Sequence, residues 1–445
     1  MAEDRSIAVD LLLTNADFVV TCDKAHRVIK NGAVAVKAGK ISAVGPSHEI
    51  IAQYRSEVQL DMSGHILMPG LVNCHVHAPM TLFRGLGDDL PLEKWLFNLI
   101  FPAESRWMRS SENVYLGALL ACSEMLLGGT TTFCDGYFFE EQVALAAEAA
   151  GIRAVVAQGI LDFPTPDCPN PERRFKRAEE FLSGVNQTDM IFPALFCHAP
   201  YTCSPETIGT IHSLCRHHNI PFLMHLSETS EEVNSVKAKY GVTPGRLLQS
   251  LGVIDRHCIF IHGVWLDDDE LKTIKDRGSR LVHCPESNLK LASGIANVPK
   301  WLDLEIPFGI GTDGAASNNN LDMFGEMRTA AQLHKGIFLD PTLCNAAEIL
   351  HSATLKGAEV LGLEPLIGSI EPGKYADIIA LSLKSPHLTP LYDPLSHIVY
   401  AAKASDVRHV WVGGKQVVYG GTLLSVDVQD IIDSVEKLSR EILKK

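Results

Sequence analysis

The sequence lacks any apolar run of about 18 residues, the length at which a helix can span a membrane, so it predicts no transmembrane segment. Residues 1–6 are polar and acidic, without the basic and then apolar stretches of a secretory signal. The 11 cysteines are odd in number and form no C-x-x-C pair. Scattered single cysteines indicate reduced thiols rather than a disulfide framework, so we expect a cytoplasmic protein.

Positive charge is also scarce, because 39 Lys and Arg residues against 53 Asp and Glu residues give a formal net charge of −14. No nucleic-acid partner is expected, since binding a phosphate backbone requires a basic face. The hydrophobic fraction of 46% and the charged fraction of 21% are ordinary for a globular protein. A chain of 445 residues is long enough for more than one domain.

From about residue 67 onward, short apolar runs alternate with segments of helical character. There are eight such runs: Ile66–His77, Thr130–Asp135, Arg153–Ile160, Ile191–His198, Phe222–Glu228, Cys258–Trp265, Arg280–Pro285 and Pro307–Asp313. Eight alternations of strand and helix predict a closed (β/α)₈ barrel of the TIM type, in which the chemistry lies at the carboxyl ends of the strands.

The two ends of the chain have a different, β-like pattern of short apolar stretches and turns. We expect both ends to join in one small β-sandwich domain, followed by an amphipathic helix whose apolar residues recur at helical spacing. The predicted segments are residues 1–66 (sandwich, first part), 67–365 (barrel), 366–424 (sandwich, second part) and 425–445 (terminal helix).

Seven of the eight barrel runs end in a side chain fit for chemistry, which chance placement would not produce. These residues are His75 and His77, Asp135, His198, His225 with Glu228, His262, His283 and Asp313. Because all such strand ends meet at one face of a barrel, they predict a single site.

His75 and His77 are two of the ligands of the expected metal centre. Alternate residues of a strand share a face, so both imidazoles point the same way. Together with His225 and Asp313 they offer three imidazoles and a carboxylate, a set that suits one Zn²⁺, with Fe²⁺ as an alternative. The fourth run contains no lysine that could bridge a second ion. A metal here would lower the pKa of a bound water.

The remaining residues suggest the proton chemistry. Glu228 follows His225 by three residues and is predicted to be a general acid and base. His262 is predicted to polarise the reacting water or stabilise developing charge, and Asp313 to act as a proton acceptor as well as a ligand. His283 either contacts substrate or supports the site, or else packs in the core. Asp135 could equally be a structural hydrogen-bond acceptor.

One helical stretch carries further histidines that do not belong to this pattern. His212, His217 and His218 fall in a polar part of the sequence. We therefore expect them on the surface.

The block Pro69–Pro79, with the isolated His225, His262 and Asp313, resembles the amidohydrolase superfamily in its branch with one metal. Three further blocks narrow the resemblance to the 5′-methylthioadenosine/S-adenosylhomocysteine deaminases, whose relatives are s-triazine hydrolases and guanine deaminases. These blocks are residues 198–205, 225–229 and 311–320. The resemblance extends over the whole chain.

The resemblance implies a role for each matching residue. His75, His77, His225 and Asp313 would bind the metal, Glu228 would contact the purine and move protons, His198 would contact the nucleoside, and Glu104 would hold the ribose hydroxyls. The family also uses arginines after the third strand to bind the homocysteine carboxylate. The resemblance does not assign Arg173 or Arg174 to those positions, which leaves the use of S-adenosylhomocysteine open and favours 5′-methylthioadenosine or adenosine as the substrate.

The sequence therefore predicts a metal-dependent deaminase that converts an adenine nucleoside to its inosine analogue and ammonia. The first alternative is the same machinery acting on another heterocycle, guanine or a triazine. The second is a metal-free scaffold, against which the complete ligand set and Glu228 argue. The expected partners are a small nucleoside and further copies of the chain in a homo-oligomer.

Overall fold

The computed structural model describes residues 6–443, and its centre is a parallel sheet of eight strands in which each pairs with the next along the chain. The strands are β1 (Leu71–Val76), β2 (Thr130–Tyr137), β3 (Arg153–Ile160), β4 (Ile191–Cys197), β5 (Phe222–Leu226), β6 (Cys258–His262), β7 (Arg280–His283) and β8 (Phe308–Ile310). The predicted (β/α)₈ barrel is confirmed. Nearly all residues of the eight strands are buried, which is the pattern of a sheet covered on both faces.

Helices connect consecutive strands of the barrel, and three further helices come directly after β8. Their bounds are Ser111–Leu127, Glu140–Ala150, Arg174–Gly184, Pro205–His218, Ser230–Tyr240, Pro244–Leu251, Asp268–Asp276, Pro285–Lys290, Val298–Asp303, Met323–Phe338, Ala346–Ser352 and Leu355–Leu361. Several begin at a side-chain cap; Asp267 and Glu270, for example, form a reciprocal capping box. The long connection after β1 contains the helical stretches Ala78–Phe83, Leu92–Trp95, Leu96–Ile100 and Phe101–Trp107.

The barrel closes where the chain leaves β8 and meets β1. The backbone N–H of Asp313 donates to the carbonyl oxygen of His75 at 3.0 Å, and the N–H of Thr312 donates to Asn73 Oδ1 at 3.1 Å. Gly311 allows this approach, because a Cβ at that position would lie 2.8 Å from the backbone nitrogen of His75. Closure therefore places Asp313 directly beside the histidines of β1.

Strands from both ends of the chain come together, as predicted, and they form one mixed sheet of nine strands. They are Leu11–Val20, Val28–Lys37, Lys40–Pro46, Gln59–Asp61, His65–Pro69, Ile378–Ser382, Val407–Val412, Lys415–Tyr419 and Thr422–Leu423. The two ends meet where His65–Pro69 pairs antiparallel with Ile378–Ser382. Two shorter strands, Ile7–Ala8 and Tyr54–Arg55, pair separately, and helix Ser47–Gln53 lies against this part of the chain.

The run Ile66–His77, expected to be one strand, is two strands separated at Gly70. The first belongs to the terminal sheet and the second is β1. The N–H of Gly70 donates to the carbonyl oxygen of Asp377 at 2.9 Å, and a Cβ there would lie 2.0 Å from Thr131 Oγ1. Glycine is required because the chain passes between the two sheets at this point.

The terminal helix spans Val428–Leu443, within the segment for which the sequence predicts an amphipathic helix. Residues 1–5 and 444–445 lie outside the described residues. They belong to the predicted first and last segments, and residues 1–5 are also those used for the secretory-signal prediction. Within residues 6–443, no helix is both long enough and apolar enough to cross a membrane.

A buried ion pair connects the barrel to the terminal sheet. Arg153, at the start of β3, donates from Nε and from a terminal nitrogen to the two carboxylate oxygens of Asp377, both at 3.1 Å. Asp377 Oδ1 also accepts the N–H of Gly413 at 2.6 Å. The two side chains are 0% and 3% exposed, so each charge depends on the other for its solvation.

We expect Asp377→Ala to lower the free energy of unfolding by about 3–5 kcal/mol, because it leaves the Arg153 guanidinium buried without its partner. The matched control is Lys356→Ala, which breaks the exposed Lys356–Glu359 pair at 2.7 Å and should cost under about 1 kcal/mol. Denaturant unfolding of both variants checks this; equal losses would contradict the role given to the buried pair.

Candidate active site

The carboxyl ends of the barrel strands open into one cavity of about 670 Å³, including its mouth. The sequence-predicted residues that line it are Glu104, His77, His198, His225, Glu228, His262 and Asp313. His75 lies against them and is fully buried. Side chains that are far apart in sequence thus meet at the end of the barrel where the sequence places them.

The four predicted metal ligands converge. His225 Nε2 lies 3.1 Å from His75 Nε2, and Asp313 Oδ1 lies 3.5 Å from His75 Nε2 and 3.4 Å from His77 Nε2. Each of these atoms comes from a residue that the barrel holds rigidly at a strand end. His75 is common to two groups of potential ligand atoms, one with His77 and Asp313 and one with His225 and His262, and within each group the atoms lie within 4.8 Å of one another.

The protonation of these histidines suits a metal. Burial lowers the pKa of His75 to about 4 and lowers that of His225 well below its usual value, so both rings are neutral. His77 Nδ1 lies 2.6 Å from the carbonyl oxygen of Gly136; its proton therefore sits on Nδ1, and Nε2 keeps a lone pair. Neutral imidazole nitrogens with a carboxylate are the donors that Zn²⁺ binds, so the residues fit this ion.

His262 also approaches the group, since its ring lies with those of His75 and His225 within ligand distance. Its Nδ1, however, lies 3.0 Å from the side-chain amide nitrogen of Asn288. When that amide donates to Nδ1, the proton of the neutral ring is on Nε2 and faces Glu228 Oε2 at 3.7 Å. This orientation makes His262 a hydrogen-bond donor towards the cavity rather than a ligand.

Glu228 lies just past β5, where the backbone N–H groups of Ser227 and Glu228 donate to the carboxylate of Glu232 at 2.9 and 2.7 Å. Its own Oε1 accepts the hydroxyl of Ser293 at 3.0 Å. Burial, reinforced by the charge of Asp313, raises the pKa of Glu228 to about 8. A carboxyl group with a raised pKa can carry a proton near neutral pH and deliver it to a substrate.

Glu104 enters the cavity from the helix Phe101–Trp107. Its Oε1 accepts the hydroxyl of Tyr137 at 2.6 Å. Burial raises the pKa of Glu104 to about 7, and the Tyr137 hydroxyl opposes that rise. The remaining lone pairs of this carboxylate are available to accept from hydroxyl groups of a ligand.

His198 lines the same cavity and is held by its neighbours. Its Nδ1 lies 3.0 Å from Thr202 Oγ1, and its ring packs edge-to-face against Tyr201 with centroids 5.9 Å apart. Burial lowers the pKa of His198 to about 3. A neutral, oriented imidazole at this position can hydrogen-bond to a neutral ligand.

Two residues with open roles are placed differently. His283 packs against Trp301 and lies 3.4 Å, between Nε2 atoms, from His334, so its contacts are those of the core. Asp135 Oδ1 accepts the N–H of Ala78 at 2.5 Å, which fixes the turn that follows His77.

The prediction that His212 is a surface residue is wrong. Its ring is buried, and its Nε2 lies 3.2 Å from Asp255 Oδ2. It sits on the inward face of helix Pro205–His218, whose polar sequence concealed that orientation. His217 and His218 are exposed, as predicted.

Sequence reasoning missed Tyr137, Asn288, Ser293 and Ser317. Tyr137 and Ser317 line the cavity, while Asn288 and Ser293 orient His262 and Glu228. Only Tyr137 had a usable signal, because it follows Asp135 by two residues and so shares its face of the strand. The others come from loops and short helices, where no periodicity indicates direction.

Comparison with known proteins agrees with this geometry. Residues 66–417 match the amidohydrolase family. The chain belongs to this family. A 5-methylthioadenosine/S-adenosylhomocysteine deaminase from Syntrophobacter fumaroxidans is 45% identical over 437 residues, which cover 98% of this amidohydrolase and 99% of the relative. A 5′-deoxyadenosine deaminase from Methanosarcina mazei is 38% identical and covers the same shares.

Solved structures support the amidohydrolase architecture. The crystal structure of an adenosine deaminase from Xanthomonas campestris with bound zinc superimposes with a TM-score of 0.96 at 38% identity, over 99% of both chains. Atrazine chlorohydrolase from Arthrobacter aurescens complexed with zinc gives 0.88 at 23% identity over 96% of this chain and 100% of that chain, which shows the fold alone. The predicted family resemblance, and with it a hydrolytic deaminase, is confirmed.

We expect the purified amidohydrolase to hold about one zinc ion per chain, the number that one four-residue site binds. His225→Ala removes an imidazole ligand and should lose the ion, whereas His262→Asn should retain it because His262 Nε2 carries a proton. The control is His217→Ala, an exposed histidine. Metal content after dialysis checks this, and loss of the ion from His262→Asn would make His262 a ligand and contradict the assignment.

Proposed function

We propose that the protein deaminates adenine nucleosides that carry varied 5′ groups, with 5′-methylthioadenosine, S-adenosylhomocysteine and adenosine as the candidate substrates. One observation supports this above all. The same cavity holds the ligand set of β1, β5 and β8, a carboxyl group suited to protonating a ring nitrogen, and the separate carboxylate of Glu104 for a sugar. A free base would leave Glu104 buried without a hydroxyl partner from the ligand.

The proposed reaction assigns a proton task to each residue. A zinc ion held by His75, His77, His225 and Asp313 would supply Lewis acidity, which lowers the pKa of bound water. Glu228 protonates N1 of the purine as water adds to C6. Asp313, whose Oδ2 accepts the hydroxyl of Ser287 at 2.6 Å, takes one proton from the water and passes it to the departing amine. The second proton of the water returns to Glu228 when the C6 carbonyl forms.

Two further residues orient the reactants. His262 donates from Nε2 towards the oxygen that adds to C6 and stabilises the charge that develops there. His198 contacts the nucleoside from β4. We assign His283 a supporting role beside the cavity rather than a chemical role, because it contacts His334 and Trp301.

The proposal extends to the metal, the cellular location, the oligomeric state and the segments of the chain. We assign one Zn²⁺ to each chain, with Fe²⁺ as an alternative occupant of the same ligands. We also propose a cytoplasmic homo-oligomer whose segments are residues 1–66, 67–365, 366–424 and 425–445. Buried free cysteines support the location, since ten of the 11 are buried and reduced thiols are typical of the cytoplasm.

Glu228→Gln should reduce kcat by about 10²–10⁴-fold while the metal stays bound, because an amide cannot deliver the proton to N1. Glu231→Gln is the matched control: it lies three residues further on, is exposed, and should leave kcat unchanged. Steady-state ammonia release with metal content measured in parallel checks the role, and a near-normal kcat in Glu228→Gln would refute it.

The substrate class is tested by ammonia release from 5′-methylthioadenosine, S-adenosylhomocysteine, adenosine, free adenine, guanine and an amino-triazine. We expect turnover of the adenine nucleosides. Glu104→Ala should lower kcat/KM for nucleosides by about 10-fold or more relative to adenine, because it removes hydrogen bonds to the ribose. Turnover of guanine or the triazine alone would overturn the proposal in favour of another heterocycle.

A further inference from the structure

A second cavity of about 780 Å³, including its open mouth, continues from the active cavity beyond Glu104. The two cavities share Phe101, Glu104 and Phe138 in their walls. The described lining of the second cavity includes none of the proposed metal ligands, whereas Glu104, the carboxylate assigned to the sugar, lies in the wall that the two cavities share. Most of its lining is aromatic or proline: Phe97, Phe101, Pro102, Phe138, Phe163, Pro164 and Pro166.

Aromatic rings form a continuous path along this cavity. The ring of Phe101 lies edge-to-face with Phe97 and with Phe163, both with centroids 5.3 Å apart. Phe101 also meets the ring of His198 at 6.2 Å, which connects the path to the active cavity. Phe97 is 48% exposed, so an apolar surface remains open at the mouth where a ligand could cover it.

Arginines that follow β3 are near in sequence but are already paired with acidic side chains. Each one binds a carboxylate of its own chain within 3.3 Å: Arg173 binds Glu180, Arg174 binds Asp162 and Arg177 binds Asp167. Among the described residues, the lining of the second cavity includes the acidic Glu104 and no Lys or Arg. A negatively charged ligand group would therefore enter it without a cationic partner.

We propose that this second cavity is the subsite for the 5′ substituent of the nucleoside and that it selects small apolar substituents, such as methylthio, over the charged homocysteinyl group. The inference rests on the proposed function, since it places the ribose at Glu104. An apolar substituent gains from leaving water for an aromatic wall. An ammonium and a carboxylate group lose their hydration there and find no compensating ion pair.

Wild-type kcat/KM values for four adenine nucleosides test the selection. We expect 5′-methylthioadenosine to be best, with 5′-deoxyadenosine and adenosine lower, because a methylthio-sized group in an apolar pocket is worth about 10-fold to 100-fold. S-Adenosylhomocysteine should be at least about 10-fold below 5′-methylthioadenosine.

Two variants connect the selection to this cavity. Phe97→Ala, at an exposed position, should lower the kcat/KM ratio of 5′-methylthioadenosine to adenosine by about 10-fold. Ser105→Arg, at an exposed position of the same wall, should raise the ratio of S-adenosylhomocysteine to 5′-methylthioadenosine by supplying the missing cation. The control is Phe338→Ala, which removes an equally exposed phenylalanine elsewhere and should change neither ratio.

The outcomes separate the two proposals. If no nucleoside is deaminated, the proposed function itself fails and the subsite with it. If 5′-methylthioadenosine and S-adenosylhomocysteine are used equally well, the function stands and the apolar selection is overturned. If selection is present but unchanged in both variants, the assignment to this cavity is overturned.

Discussion

The whole site depends on the closure of the barrel between its last and first strands. The hydrogen bond from the Asp313 N–H to the His75 carbonyl oxygen brings the carboxylate that follows β8 against the imidazoles that end β1. Gly311 permits this contact, because any side chain there would collide with His75. Without closure these side chains would be isolated buried polar groups, which are costly; with it they form the ligand set that we propose.

The end of β2 connects the two functional halves of the cavity. The carbonyl oxygen of Gly136 fixes the ring of His77 at 2.6 Å, while the next residue, Tyr137, donates to Glu104 at 2.6 Å. One short piece of backbone thus orients both the metal ligand and the carboxylate assigned to the sugar. The spacing between the His77 ring and the Glu104 carboxylate is therefore set at the end of β2.

Much of this arrangement could be predicted from the sequence, because strand alternation and strand ends are local signals. His75 and His77 share a face through the two-residue period of a strand, and Asp313 ends a run that only a barrel brings beside them. The break at Gly70 could not be predicted, because it depends on Thr131, a residue of the neighbouring strand. An apolar run carries no information about which of two sheets each half joins.

The residues that orient His262 and Glu228 could not be predicted from the sequence for a related reason. Asn288 acts on His262, and Ser293 acts on Glu228, across contacts between loops that have no period in the sequence. The strand-end position of His283 left substrate contact and packing both open, and the structure places its ring against Trp301. The position of a residue along a strand predicts at which end of the barrel it lies. Only the tertiary structure shows which residues it contacts there.

The most direct test is a crystal structure of the zinc-loaded Glu228→Gln variant with 5′-methylthioadenosine bound. The account predicts one anomalous zinc peak among His75, His77, His225 and Asp313, purine C6 next to it, and the ribose hydroxyls on Glu104. The methylthio group should lie against Phe101. A zinc ion on other ligands, or a ribose turned away from Glu104, would contradict the account.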